Sequence, residues 1–165
     1  PAPDLLALAG IATTPLFRSE NKPSLAFYAL PAAPPTLLAT EPTSFNSVIT
    51  LIGYEILPLT PGEPLVVYTL WRVEKELPAD LAAFIHLVDG AEKIVAQHDG
   101  FDAAPVTLQS GDIVLQRHVL PLSSIEEAAA YDLYLGLYRR STNERLRINE
   151  SLADRFGLTS ISIDE

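Results

Sequence analysis

Leu65-Val-Val-Tyr-Thr-Leu-Trp-Arg-Val-Glu74 and Tyr131-Asp-Leu-Tyr-Leu-Gly-Leu-Tyr-Arg139 decide the fold class of this chain. In the first stretch Leu65, Val67, Thr69, Trp71 and Val73 occupy every second position, and in the second Tyr131, Leu133, Leu135 and Leu137 do the same. A period of two belongs to an extended strand, whose side chains point alternately to the two faces of a sheet. Each stretch therefore predicts a strand with one buried stripe. Two such stripes cover each other when two sheets pack face to face, which places Trp71, Leu133, Leu135 and Leu137 in one core. The opposite faces, Val66, Tyr68, Leu70 and Arg72 on one strand and Asp132, Tyr134, Gly136 and Tyr138 on the other, are predicted to be partly exposed.

Outward from these two stretches the same texture continues. Runs rich in β-branched and aromatic residues predict further strands at Val48–Ile56, Ala83–Val88, Lys93–Asp99, Ile113–Leu120, Arg145–Asn149 and Leu158–Ile163. Turn chemistry separates them at Pro61-Gly62, Asp89-Gly90, Asp99-Gly100 and Ser110-Gly111-Asp112. Short helical turns are expected after Ser123 or Ser124 and from Asn149 to Phe156, the latter closed by Gly157. The class is all-β, a two-sheet antiparallel sandwich of immunoglobulin-like or jelly-roll-like kind, over residues 43–165. Residues 1–42 hold Pro1, Pro3, Pro15, Pro23, Pro31, Pro34, Pro35 and Pro42, and proline removes backbone donors. They are predicted to form a Pro-rich arm or linker, with Ser24–Leu30 as a short edge strand and Leu5–Ile11 as an edge strand or, alternatively, a helical turn.

The totals bound the function. A length of 165 residues suits one domain, and 48% hydrophobic residues is too many for a disordered chain. No apolar run approaches the roughly 20 residues of a membrane-spanning helix, so this segment is expected to be soluble and not to span a membrane. A formal charge of −10 repels phosphate backbones, which argues against nucleic acid as a partner. The absence of Cys removes disulfides, thiolate metal ligands and thiol nucleophiles. A chain that starts at Pro1 and has no Met is expected to be a processed chain or a segment of a longer protein.

Among residues that carry chemistry, the histidines come first. If Val88 faces Ile94 across a hairpin, then His86 faces Ala96 and Phe84 faces His98, so the two imidazoles share one sheet face; a register one residue different separates them. Asp99 and His118 are the nearby additions. Without a helical His pair or short ligand spacing, His86, His98, Asp99 and His118 are read as a structural polar cluster, with no metal and no cofactor expected. No Gly-x-Ser-x-Gly elbow, phosphate loop or isolated carboxylate pair points to catalysis, so no catalytic residue is assigned and the chain is expected not to be an enzyme. Arg139, Arg140, Arg145 and Arg147 gather in one stretch of an acidic chain and are read as a solvated hairpin with ordinary ion pairs. Tyr134 and Tyr138, with Gly136 between them and Asp132 and Arg139 at the ends, form a candidate surface for a sugar ring.

A resemblance adds to this reading. Ile49-Thr-Leu-Ile-Gly-Tyr-Glu-Ile56, Pro61-Gly62, Leu70-Trp71-Arg72, Ala83-Phe-Ile-His-Leu-Val-Asp89, Ile94-Val-Ala-Gln-His-Asp-Gly100, Ser110-Gly111-Asp112, Arg117-His118, Leu135-Gly-Leu-Tyr138 and Glu144-Arg-Leu146 follow one another in order. Over about Ile49 to Ile148 this pattern resembles the soluble C-terminal region of polytopic membrane glycosyltransferases of the dolichyl-phosphate-mannose protein mannosyltransferase type, and of related uncharacterised envelope proteins. The chain departs from that pattern at Gln116, where an acidic residue is usual before Arg-His, and at Glu126-Glu127-Ala128-Ala129-Ala130, which replaces a usual Pro-Gly. The resemblance implies a non-catalytic, extracytoplasmic accessory or interaction domain, with another envelope protein as partner. The alternative from the residues is a carbohydrate-binding module that uses an aromatic sheet face.

Overall fold

A computed structural model describes residues 38–59, 62–122, 130–149, 151 and 153–162. They form β1 (Leu38–Phe45), β2 (Ile49–Ile56), β3 (Leu65–Val73), β4 (Leu81–Val88), β5 (Ile94–Gly100), β6 (Ile113–Leu120), β7 (Ala130–Arg139) and β8 (Phe156–Ser162). These make two antiparallel four-stranded sheets, with orders β1-β2-β3-β6 and β5-β4-β7-β8. One short 3-10 turn, Pro105–Thr107, joins β5 to β6 and was not signalled by the turn chemistry. The sandwich expected from alternation is the fold found.

The two deciding stripes meet as predicted. Trp71, Val67 and Val73 of β3 share one buried cluster with Tyr131, Leu133, Leu135 and Leu137 of β7 and with Ala83, Ile85 and Leu87 of β4. The outer face of β3 differs from expectation, because Tyr68 and Leu70 are buried. β3 is flanked on both sides, so Tyr68 stands between Glu55 and Arg117, and Leu70 lies opposite Leu115. Long cross-strand neighbours cover a central strand in a way that a strand read alone does not reveal.

Boundaries moved where one strand or turn competes with another. β1 starts at Leu38, inside the stretch read as an arm, and takes Pro42 into an edge strand at a register shift between Ala39 and Thr43, a place where a missing N–H costs no ladder bond. The possible edge strands at 5–11 and 24–30, and the helical turn expected after Ser123 or Ser124, lie outside the described residues. Arg145–Asn149 is not a strand. It carries two isolated bridges, Arg145 to Tyr138 and Ile148 to Phe45, and Leu146 reaches into the core. The helical turn expected up to Phe156 is absent from the described residues of that stretch, and Phe156 and Gly157 instead open β8.

The β4–β5 hairpin sets the positions of the histidines. Val88 pairs with Ile94 as expected, but Leu87 then pairs with Ala96, so Val95 is an extra residue in a bulge. Beyond it the faces exchange: His86 pairs with Gln97 and Ile85 with His98. One inserted residue reverses every later side chain of a strand. His86 and His98 therefore stand on opposite faces of the sheet, which decides between the two registers that the sequence leaves open.

Candidate functional site

The polar cluster expected from sequence is two clusters. His98 points inward, where β5 and β6 run side by side at the edge of the two sheets. There His98 Nδ1 lies 3.0 Å from Nδ1 of His118, a fully buried residue. On its other side His118 Nε2 is 3.3 Å from Thr69 Oγ1, which accepts a hydrogen bond from Trp71 Nε1 at 2.8 Å. An indole N–H only donates, so the Thr69 hydroxyl keeps its own hydrogen for a second partner. Where that partner is His118 Nε2, the His118 proton sits on Nδ1 and is donated to His98. Burial, then the neighbouring His98, pushes the His118 imidazole down to about 3, and it is held neutral. None of the buried side-chain nitrogens and oxygens in this chain of groups lacks a partner, which marks it as a structural network of the core.

Gln116 does similar work beside it. Its Oε1 accepts from Asp102 N at 2.7 Å, and its Nε2 donates to Asp102 Oδ2 at 3.0 Å and to the Arg117 carbonyl at 2.8 Å. An amide supplies both the acceptor and the two donors that this arrangement needs, whereas a carboxylate supplies no donor. The departure at Gln116 thus fits the loop after β5 onto β6.

The outer face of the β5-β4-β7-β8 sheet gathers the remaining candidates around Phe84. The Phe84 ring lies over Gly136, where an added Cβ would sit 2.2 Å from Phe84 Cζ. His86 stacks on that ring at 4.3 Å, Tyr138 meets it at 6.2 Å, and the Arg145 guanidinium lies 4.8 Å from its centre. His86 Nε2 is 3.7 Å from Asp99 Oδ1, and the Tyr138 hydroxyl donates to Asp99 Oδ2 at 3.2 Å. Burial lowers the His86 pKa, with Asp99 opposing the shift, while burial and the Asp99 carboxylate raise that of Tyr138. Next to this group Arg155 lies 4.0 Å above the Tyr134 ring and is held by Glu92 at 2.7 Å. The result is a rigid sheet face whose polar groups converge above a packed aromatic residue.

In fold, the chain is similar to the C-terminal domain of Wzt. A crystal structure of that domain matches with a TM-score of 0.55 and 14% identity, over 79% of this chain and 82% of that one. No family model matches the sequence, and no curated protein matches it either. The likeness to the Wzt domain is one of architecture, so the roles of individual residues rest on the geometry of this chain. No helix among the described residues is long and apolar enough to cross a membrane, and no group of three or more His, Asp or Glu among them is placed to hold a metal ion.

The residues expected to bind a sugar divide. Tyr134 and Tyr138 do share the outer face with Asp132, whose carboxylate takes a hydrogen bond from Ser160 Oγ. Gly136 is buried between them under Phe84 and Asp154, so its backbone is not open to a ligand. Arg139 falls out of the group: it pairs with Leu81, and its Nε donates to Asp80 at 3.2 Å. Asp80 also accepts from the Ser141 hydroxyl and amide, and these bonds hold its carboxyl well below the usual range. Sequence reasoning missed Phe84, Arg155 and Glu92, and counted Arg145 only as part of a solvated hairpin. Alternation on Ala83–Val88 places Phe84 and His86 on one face, and that was the available signal. The positions of Arg145 and Arg155 depend on the irregular chain before β8, which carries no such period.

Proposed function

We propose that this chain is a non-catalytic domain that binds carbohydrate on the outer face of its β5-β4-β7-β8 sheet. The observation that carries the reading is the convergence of His86, Asp99, Tyr138 and Arg145 around Phe84. Strands fix the positions of Phe84, His86, Asp99 and Tyr138, and a sheet-borne site loses little conformational freedom when it engages a ligand. Side chains that donate and accept hydrogen bonds, beside partly exposed rings, match the alternating C–H and O–H surface of a saccharide. Sequence supports the non-catalytic part, since no nucleophile, phosphate-loop or metal motif accompanies these groups.

A glycan array followed by calorimetric titration tests the proposal. The wild-type chain is expected to bind at least one oligosaccharide, with Kd on the order of tens of micromolar to millimolar, as shallow sites do. The double variant Tyr134→Ala, Tyr138→Ala is expected to fold and lose that binding. Undiminished binding by the folded double variant sinks the proposed face.

The ordered motifs from Ile49 to Ile148 favour a second, compatible reading: an extracytoplasmic accessory domain attached to or paired with a membrane glycosyltransferase-like envelope protein. The full reading frame tests it. Several apolar spans in the same frame support the reading, and a frame that encodes only a cytoplasmic protein removes it.

A further inference from the structure

Resting on the carbohydrate reading above, we infer that the face selects neutral, hydroxyl-rich saccharides and rejects acidic ones, with Asp99 as the acceptor for ligand hydroxyls. Charge pairing on this face disfavours an anionic ligand. Arg145 Nη1 is 3.5 Å from Asp154 Oδ1, and Arg155 Nη2 is 2.7 Å from Glu92 Oε2. Both guanidiniums are thus matched by a carboxylate of this chain, and each also covers a ring, Phe84 or Tyr134. Neither is a vacant receptor for an anion.

The third pair is different. His86 is 12% exposed and faces Asp99, whose side chain is 30% exposed. The burial that lowers the His86 pKa favours its neutral form, so it offers Asp99 no full positive charge at neutral pH. Tyr138 satisfies one lone pair of Asp99 Oδ2. A carboxylate has about four acceptor sites, which leaves capacity for two hydroxyls of one sugar ring. Asp132, on the same face, adds a second negative charge bonded to a neutral Ser160 hydroxyl. Arg140 acts on Tyr138 from just past the end of β7, but no guanidinium pairs directly with Asp99 or Asp132 among the described residues, so a uronate or phosphate ester is repelled there, while a neutral ring presents the hydroxyl donors that Asp99 lacks. Arg145, still 37% exposed, has N–H groups to spare for a neighbouring ring or hydroxyl oxygen.

The test titrates the whole chain with a panel of neutral oligosaccharides (gluco-, manno- and galacto-oligomers) and with oligogalacturonates, and repeats both with Asp99→Asn. Asparagine keeps the shape and one acceptor but gains donors. The wild type is expected to bind a neutral oligomer at least tenfold more tightly than any uronate. Asp99→Asn, shown folded by circular dichroism, is expected to lose at least tenfold for that neutral oligomer. Equal or tighter uronate binding by the wild type overturns the selectivity and leaves the carbohydrate reading standing. Full retention of neutral-oligomer affinity by Asp99→Asn overturns the role of Asp99. Binding to neither panel removes this inference, and silence across the wider array removes the carbohydrate reading as well.

Discussion

His98 and His118 come from the edge strands of two different sheets, and their Nδ1 atoms meet 3.0 Å apart inside the sandwich. The contact closes a line of hydrogen-bonding groups that begins at Trp71 in the middle of the core. It exists because one bulge residue, Val95, turns His98 inward and Asp99 outward. The same bulge therefore builds the internal network and supplies the outer face with its carboxylate.

Neutral His118 makes stability depend on pH. An ordinary histidine titrates near 6.5 and burial pushes His118 down to about 3, so the unfolded chain binds a proton that the folded chain refuses. The stabilisation is present above 6.5 and is lost as pH falls toward 3, at about 1.4 kcal/mol per pH unit for one group. The lowered His86 acts in the same direction. Urea unfolding at about pH 7 and pH 5 is expected to show roughly 2 kcal/mol more loss in wild type than in His118→Gln. Parallel losses in the two proteins contradict the assignment.

Trp71 joins the two sheets and anchors the donor end of the network. Truncation by Trp71→Ala is expected to cost about 3–5 kcal/mol, measured by equilibrium denaturation. A loss below about 1 kcal/mol means that the core is not organised around this residue.

Gly136 is required by contact with Phe84. A Cβ at this position comes 2.2 Å from Phe84 Cζ and 2.9 Å from the Asp154 carbonyl oxygen. Gly136→Ala is expected to destabilise by about 1–3 kcal/mol, as overpacking does, and addition of Phe84→Leu to recover part of that loss. Strict additivity of the two changes by thermal or urea unfolding contradicts the contact.

Gln116→Glu replaces two donations with repulsion toward Asp102. Its cost is expected to be about 1–3 kcal/mol at neutral pH. Burial and the adjacent carboxylate raise the pKa of the introduced group, so the cost shrinks as pH falls and the group takes up a proton. A pH-independent difference from wild type, followed by urea unfolding, goes against this account.

Alternation made the core legible. Trp71, Leu133, Leu135 and Leu137 were placed from a period of two, because a buried face leaves that trace in every strand. Tyr68 and Leu70 were not, since their burial depends on which strands flank β3, and strand order has no local signature. The site is legible in part: Tyr134, Tyr138, His86 and Asp99 stand out in the sequence, and so does the company of His98 and His118, but not the separation of that pair from His86 and Asp99. A one-residue bulge has almost no signal in composition, yet it exchanges the faces of all residues after it. Arg139 was misplaced for a related reason, because its parity puts it with Leu81 and the Asp80 corner.

Where a glycan touches the chain decides whether the outer face of the β5-β4-β7-β8 sheet is the binding site. Two-dimensional NMR of the isotopically labelled protein, titrated with an oligosaccharide that binds it on an array, gives that location residue by residue. The shifts are predicted to cluster on 84–86, 97–99, 132–138, 145 and 154–157, with the β1-β2-β3-β6 sheet unaffected. Shifts concentrated on that other sheet, or no shifts at millimolar glycan, contradict the binding face proposed here.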